Sequence, residues 1–210
     1  MNHDENAMAI SQHHVHVDKV GAKMGMWLFL FTEVLLFGGM FLAYAVYRYQ
    51  YSEQFHIAAM ELNTTIGTIN TIILLTSSLT MALSIAFIER NQKSLSIIFL
   101  SLTIFLALVF LVNKYFEWSA KFEHGIYPRS EELLNRPSGQ ILFFGLYYVM
   151  TGLHALHVII GIIVLSFMLI FLLKNKITSE NYNKLENSGL YWHLVDLIWI
   201  FLFPLFYLIQ

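Results

Sequence analysis

Apolar positions in this chain fall into five long runs, at residues 24–47, 66–88, 95–113, 141–173 and 189–209, joined by more polar segments. Each run is about the 20 residues that a helix needs to cross a bilayer, or longer. A lone strand would leave its backbone groups unpaired in hydrocarbon, so each run predicts a transmembrane helix. From Ile141 to Leu173 there are 33 residues without Lys, Arg, Asp or Glu. That run spans about 50 Å at the helical rise. It must tilt, kink or project beyond the hydrocarbon, with Gly145, Gly152 and Gly161 as bending points. The pattern predicts an all-α polytopic membrane protein: a polar tail over 1–23, then one five-helix transmembrane domain over 24–210 with an ordered outer loop at 114–140.

Lys and Arg orient the helices. With the N-terminus inside, the inner segments hold Lys19, Lys23, Arg90, Lys93, Lys174, Lys176 and Lys184; the outer ones hold Arg48, Lys114, Lys121, Arg129 and Arg136. Four of those outer five lie in or beside one long connection, which weakens their vote. The expectation is N-terminus in, C-terminus out.

Composition agrees with the pattern: 57% of the 210 residues are hydrophobic and 12% charged, which places the chain among membrane proteins. The net charge of −2 and the lack of a basic run argue against nucleic acid. With no cysteine, disulfides, thiolate nucleophiles and iron–sulfur clusters are excluded. The first apolar run is too long for a signal-peptide core and reads as a retained anchor. His3, His13, His14 and His16 are irregularly spaced in the polar tail, a pattern that favours a flexible solvated segment over a metal site. No phosphate-binding glycine loop and no internal repeat are present.

Candidate chemistry is therefore intramembrane. Glu33 is the one carboxylate inside the first helix, roughly 14 Å along its axis. It reads as a proton-relay group, a ligand for a polar headgroup, or a protonated acid bonded between helices. His154 and His157 are i, i+3 on the fourth helix and share a face with Gly161. A metal there would want more ligands at the same depth, so helix–helix hydrogen bonding or lipid contact is the better expectation. His193 and Asp196 are also i, i+3. They could titrate, bind a lipid amine, or form a satisfied His–Asp pair, with Trp192 and Trp199 at the interfacial belt. Asn113, Lys114, Tyr115 and Glu117 read as interface residues closing the third helix.

Taken together, these segments resemble subunit III of the haem–copper respiratory oxidases. The resemblance rests on Thr32-Glu33-Val-Leu-Leu-Phe37, on Asn70-Thr71, and on Tyr115-Phe116-Glu117 followed by Gly125 and Tyr127. It continues through Thr151-Gly-Leu-His154-Ala-Leu-His157-Val-Ile-Ile-Gly161 and Tyr191-Trp-His193-Leu-Val-Asp196-Leu-Ile-Trp199-Ile-Phe201. It covers nearly all of residues 20–208 and looks like the five-helix bacterial form.

The resemblance implies a bacterial inner-membrane subunit with no catalytic residue, cofactor or metal of its own. Haem and copper belong to its partners, subunits I and II, and a larger respiratory supercomplex is compatible with it. It also implies bound phospholipid, protection of the catalytic subunit during turnover and support of proton uptake. Glu33 matches the family's helix carboxylate. The intramembrane residues carried as lipid-binding or polar are Glu33, His154, His157, His193, Asp196 and Trp199. Many members have a second intramembrane Glu where this chain has Thr65, so a role for that carboxylate does not carry over. Competing readings are a related accessory protein of nitric oxide reduction, a stand-alone transporter using Glu33 and Asp196, and a membrane b-type cytochrome.

Overall fold

A computed structural model describes the backbone of residues 3–209 and the side chains of residues 21–209. The described backbone is helical throughout apart from short connections, with α1 His3–Gln50, α2 Ser52–Ala59, α3 Thr64–Glu89, α4 Lys93–Glu123, α5 Glu131–Leu134, α6 Ser138–Leu173 and α7 Asn183–Tyr207. Five of these, counting α1 from Gly21, are long and apolar enough to cross a membrane. The chain divides into two compact units, one up to Leu36 and one from Phe37 onward.

The ends of the helices follow from local chemistry. Asn63 caps α3, its side-chain oxygen accepting from the Ile66 amide at 3.2 Å. Ser130 caps α5 in the same way through Leu133. α3, α4 and α6 each stop at a residue with positive φ, namely Asn91, Gly125 and Asn175. After each stop the next amide reaches back five residues: Gln92 to Phe87, Ile126 to Lys121 and Lys176 to Phe171. That is the Schellman closure, which satisfies carbonyls the helix end leaves open.

The core of the second unit is a ring of four helices in which α3 packs on α4, α4 on α6, α6 on α7, and α7 on α3. Their buried positions alternate three and four apart. On α4 these are Ser96, Leu100, Thr103, Ala107, Phe110, Lys114, Glu117 and Lys121; on α7, Leu185, Ser188, Trp192, Val195, Trp199, Leu202 and Phe206. A 3.5-residue stripe is the pattern of left-handed helix packing. Without a hydrophobic drive inside lipid, close approach and hydrogen bonds hold such helices together. Accordingly, Ser84 and Ser96 meet at 3.1 Å and Thr80 and Thr103 at 2.8 Å between α3 and α4. Gly161 lets the Trp192 ring lie on α6, where an added Cβ would come within 2.7 Å of it.

Several boundaries differ from the sequence expectation. α1 begins at His3, so its helix takes in backbone expected as a separate tail; the metal reading of His3, His13, His14 and His16 falls on side chains outside the described residues. α4 continues to Glu123, which turns the first ten positions of the expected 114–140 loop into helix. The remaining connection contains α5. Charge near the end of α4 interrupts the apolar run but not the helix, because Lys114, Glu117 and Lys121 are buried and hydrogen-bonded there.

Candidate functional site: the polar core of the bundle

The cluster at the end of α4 was missed as a site from sequence, where Lys114 and Glu117 read as interface residues. Both are buried, and they form an ion pair at 3.0 Å. Lys114 Nζ also donates to the hydroxyls of Tyr207, at 2.7 Å, and Tyr147, at 3.4 Å. Both tyrosines donate onward to Glu117 Oε1, at 2.7 Å from Tyr147 and 2.6 Å from Tyr207. The ammonium thus spends its three donors, and each hydroxyl accepts from the cation and gives to the anion. The charge further lies over the rings of Trp199, Tyr147 and Tyr207 at 5.0–5.3 Å.

One turn on, buried Lys121 donates to the Glu61 carbonyl at 3.2 Å. The Glu61 side chain in turn pairs with Arg136. These bonds tie α4 to the connection between α2 and α3, and that connection to the one between α5 and α6. The signal for this cluster was present in the sequence: Lys114, Glu117 and Lys121 continue the three–four stripe of Ser96 to Phe110.

His154 sits against Trp199 at 5.2 Å and edge-on to Phe110 at 5.6 Å, fully buried. Neither of its ring nitrogens has a hydrogen-bond partner. This corrects both expectations for it: it makes no helix–helix hydrogen bond, and it offers no atom to lipid. His157 turns its Nδ1 to the Leu153 carbonyl at 2.8 Å and packs edge-on against Phe37 at 5.4 Å. Its own carbonyl accepts from Tyr191 at 3.1 Å.

Of the readings open for His193 and Asp196, the satisfied His–Asp pair is not the one formed. His193 Nδ1 is 2.7 Å from the Ser78 hydroxyl. Asp196 is buried, and both its oxygens lack a bond of normal geometry, although Ser78 is its polar neighbour. Trp192 and Trp199 are not at an interfacial belt either. Both are fully buried and pin α7 to α3, donating to Ser77 at 2.8 Å and Thr71 at 3.0 Å. Their indole N–H groups need buried partners, and the small hydroxyls of α3 supply them. Glu33 lies half-buried in the first unit, beside Thr32, whose hydroxyl bonds back to Phe29 at 2.7 Å.

The arrangement favours cohesion over turnover. Among the described residues no three His, Asp or Glu side chains converge as a metal would require. What is built instead is a set of polar pins linking α3, α4, α6 and α7.

Comparison with known proteins places this arrangement. The family model described as "Cytochrome c oxidase subunit III" matches residues 5–210. A "Heme-copper oxidase subunit I+III" of Aeropyrum pernix is 32% identical over 198 residues, covering 91% of this chain and 23% of that protein. A "Probable quinol oxidase subunit 3" of Staphylococcus saprophyticus is 28% identical across all of this chain and 97% of its own length. A "Cytochrome c oxidase subunit 3" of Thermostichus vulcanus is 29% identical, covering 98% of this chain and 96% of its own length. The chain is a multi-pass membrane protein that belongs to the cytochrome c oxidase subunit III family.

Proposed function

We propose that this chain is the accessory subunit of a proton-pumping haem–copper terminal oxidase in a bacterial cytoplasmic membrane, with its N-terminus inside and C-terminus outside. It carries no redox centre of its own and packs beside subunits I and II, which hold the haem and copper. Its work is to bind phospholipid, to hold the catalytic subunit in its active form through many turnovers, and to support proton uptake. Of the intramembrane polar groups, the half-buried Glu33 and His193 are the candidates for lipid or proton exchange, with His157, buried against Phe37, as a third. His154, Asp196 and Trp199 act from inside the bundle.

Family membership over residues 5–210 carries this reading. The Aeropyrum relative supports subunit I as the neighbour, since its name joins subunits I and III in one protein. Physical chemistry adds a second support. The buried stripes use only one face of each helix, and large apolar side chains such as Leu28, Phe31 and Leu42 on α1 remain exposed. Faces of that kind suit lipid and other membrane subunits.

The test is purification from native membranes through a tag on this chain. A large haem-bearing subunit should accompany it, and the chain stripped of partners should show no visible absorption. A chain that arrives alone from mild detergent, or that keeps stoichiometric haem after stripping, contradicts the proposal.

A further inference from the structure

Tryptophan and tyrosine rings form a continuous line through the second unit. The Trp118 ring lies 5.5 Å from that of Tyr148, and Tyr148 lies 5.3 Å from Tyr147. Tyr147 lies 6.4 Å from Tyr207, and Tyr207 lies 6.3 Å from Trp199. The line starts near the polar end of α4, crosses α6 and ends on α7 inside the bundle. These two side chains give up one electron far more readily than phenylalanine does. An electron vacancy entering the line is therefore confined to these rings, although phenylalanines pack around them.

Proton acceptors decide where the vacancy stops. A tyrosine holds it stably by passing its phenolic proton to a base within hydrogen-bond reach. Tyr148 donates to the Ile126 carbonyl and Trp199 to the Thr71 hydroxyl, and neither acceptor is such a base. The Trp118 indole N–H has no acceptor among the described residues. The Lys114 ammonium, 5.0 Å from the Trp199 ring, further opposes positive charge there. Of the rings in the line, only Tyr147 and Tyr207 donate to a carboxylate, that of Glu117, at 2.7 and 2.6 Å. The middle of the line is thus its low point. Trp118 and Tyr148 lead into it from one side, and Trp199 from the other.

We propose that Tyr147, Tyr207 and Glu117 form a cofactor-free trap for one-electron oxidation, whose substrates are strong oxidants of the oxygen-radical class. The oxidant takes one electron from Trp118 or Trp199. Electrons then shift along the line until Tyr147 or Tyr207 is the ring left short. Its O–H proton moves to Glu117 Oε1, which leaves a neutral phenoxyl radical and a neutral carboxylic acid. Lys114 keeps its charge, so the site gains the single positive charge that the lost electron leaves behind. A small one-electron reductant in the aqueous phase, reaching the half-buried Trp118, returns the electron, and Glu117 returns the proton. The proposed place beside an oxidase supplies the oxidant. The trap itself lies wholly within this chain, goes beyond that accessory role and is tested without it.

The test exploits the lack of cysteine. Glu123→Cys, at the exposed end of α4, takes a single ruthenium–polypyridyl label. The full labelled chain, purified in detergent, is flashed with an irreversible electron acceptor, which makes the oxidant at that end of the line. Electron paramagnetic resonance of samples frozen after the flash should show a tyrosyl radical, narrowed when the tyrosine rings are deuterated. The infrared difference spectrum should show a carboxylic acid arising with it. Trp118→Phe, which gives up no hydrogen bond, should remove most of the radical, and so should Tyr148→Phe. Tyr127→Phe, which alters an exposed tyrosine at the same end, should leave it intact. Four results overturn the proposal: no tyrosyl signal in the labelled chain, a radical that forms without a new carboxylic acid, an undiminished yield in either Trp118→Phe or Tyr148→Phe, or loss of the signal in Tyr127→Phe. Any of these leaves the accessory role standing, since no oxidase takes part.

Discussion

Two parts of one bundle bury polar groups in opposite ways. At the end of α4, Lys114, Glu117, Tyr147 and Tyr207 are closed off from solvent with their charges and hydroxyls bonded to one another. Around the middle of α6 and α7, His154 and Asp196 are closed off with ring nitrogens and carboxyl oxygens unpaired. Burial is the same and pairing is not. The first region strengthens the bundle only as a complete set, since removing one member strands a charge. The second stabilises little, because there is no bond to lose. Trp199 joins the two, with the Lys114 ammonium 5.0 Å from its ring centre and His154 5.2 Å away.

The largest effect should come from Lys114→Met. It leaves Glu117 ionised or unpaired inside the bundle, and breaking a buried pair from one side costs about 3–5 kcal/mol. Thermal melting of the purified chain in detergent should show it as an earlier, broader transition. Lys114→Met combined with Glu117→Met should recover much of the loss, because both charges are then gone. Should the single variant melt like the original, the network is not holding the bundle.

Trp199→Phe comes next. It removes the bond to Thr71 and the larger ring beneath Lys114, a loss of about 1–3 kcal/mol. A double-mutant cycle with Lys114→Met should show coupling between the two positions, and strict additivity would separate the regions that Trp199 is said to join.

His154→Leu sharpens the contrast. Replacing an unpaired buried polar group by an apolar one of similar bulk should change stability by no more than about 1 kcal/mol, in either direction. A loss as large as that of Lys114→Met would mean that the imidazole is bonded after all.

How much of this could be read from the chain depends on which signal each residue sends. Hydropathy runs and their turn residues placed all five spanning helices, since a bilayer demands length and apolarity and little else. The end of α4 was misplaced because a hydropathy run stops at the first charge, whereas Lys114, Glu117 and Lys121 keep to the three–four spacing of the buried stripe. Periodicity, followed through the charges, finds them. Trp192 and Trp199 looked interfacial because tryptophan gathers there in general. Their spacing with Leu185, Ser188 and Val195 assigns them to the core. The partner of His193 was not legible at all. Ser78 lies 115 positions away on α3, and no local pattern announces it.

Glu33 lies outside both regions, in the unit before Phe37. Glu33→Gln should leave the initial oxidase rate of the assembled complex within about threefold of the original, a barrier change of under 1 kcal/mol. A fall by orders of magnitude in an intact complex would make Glu33 part of an obligatory proton path.

The central claim is that this chain preserves an oxidase rather than performing its chemistry. Its most direct test is a progress curve of oxygen consumption by the complex with and without the chain. The first turnovers should run at similar rates, and the complex lacking the chain should then lose activity markedly faster, with re-addition of the chain restoring the slower decay. Equal decay constants in the two preparations would contradict the account.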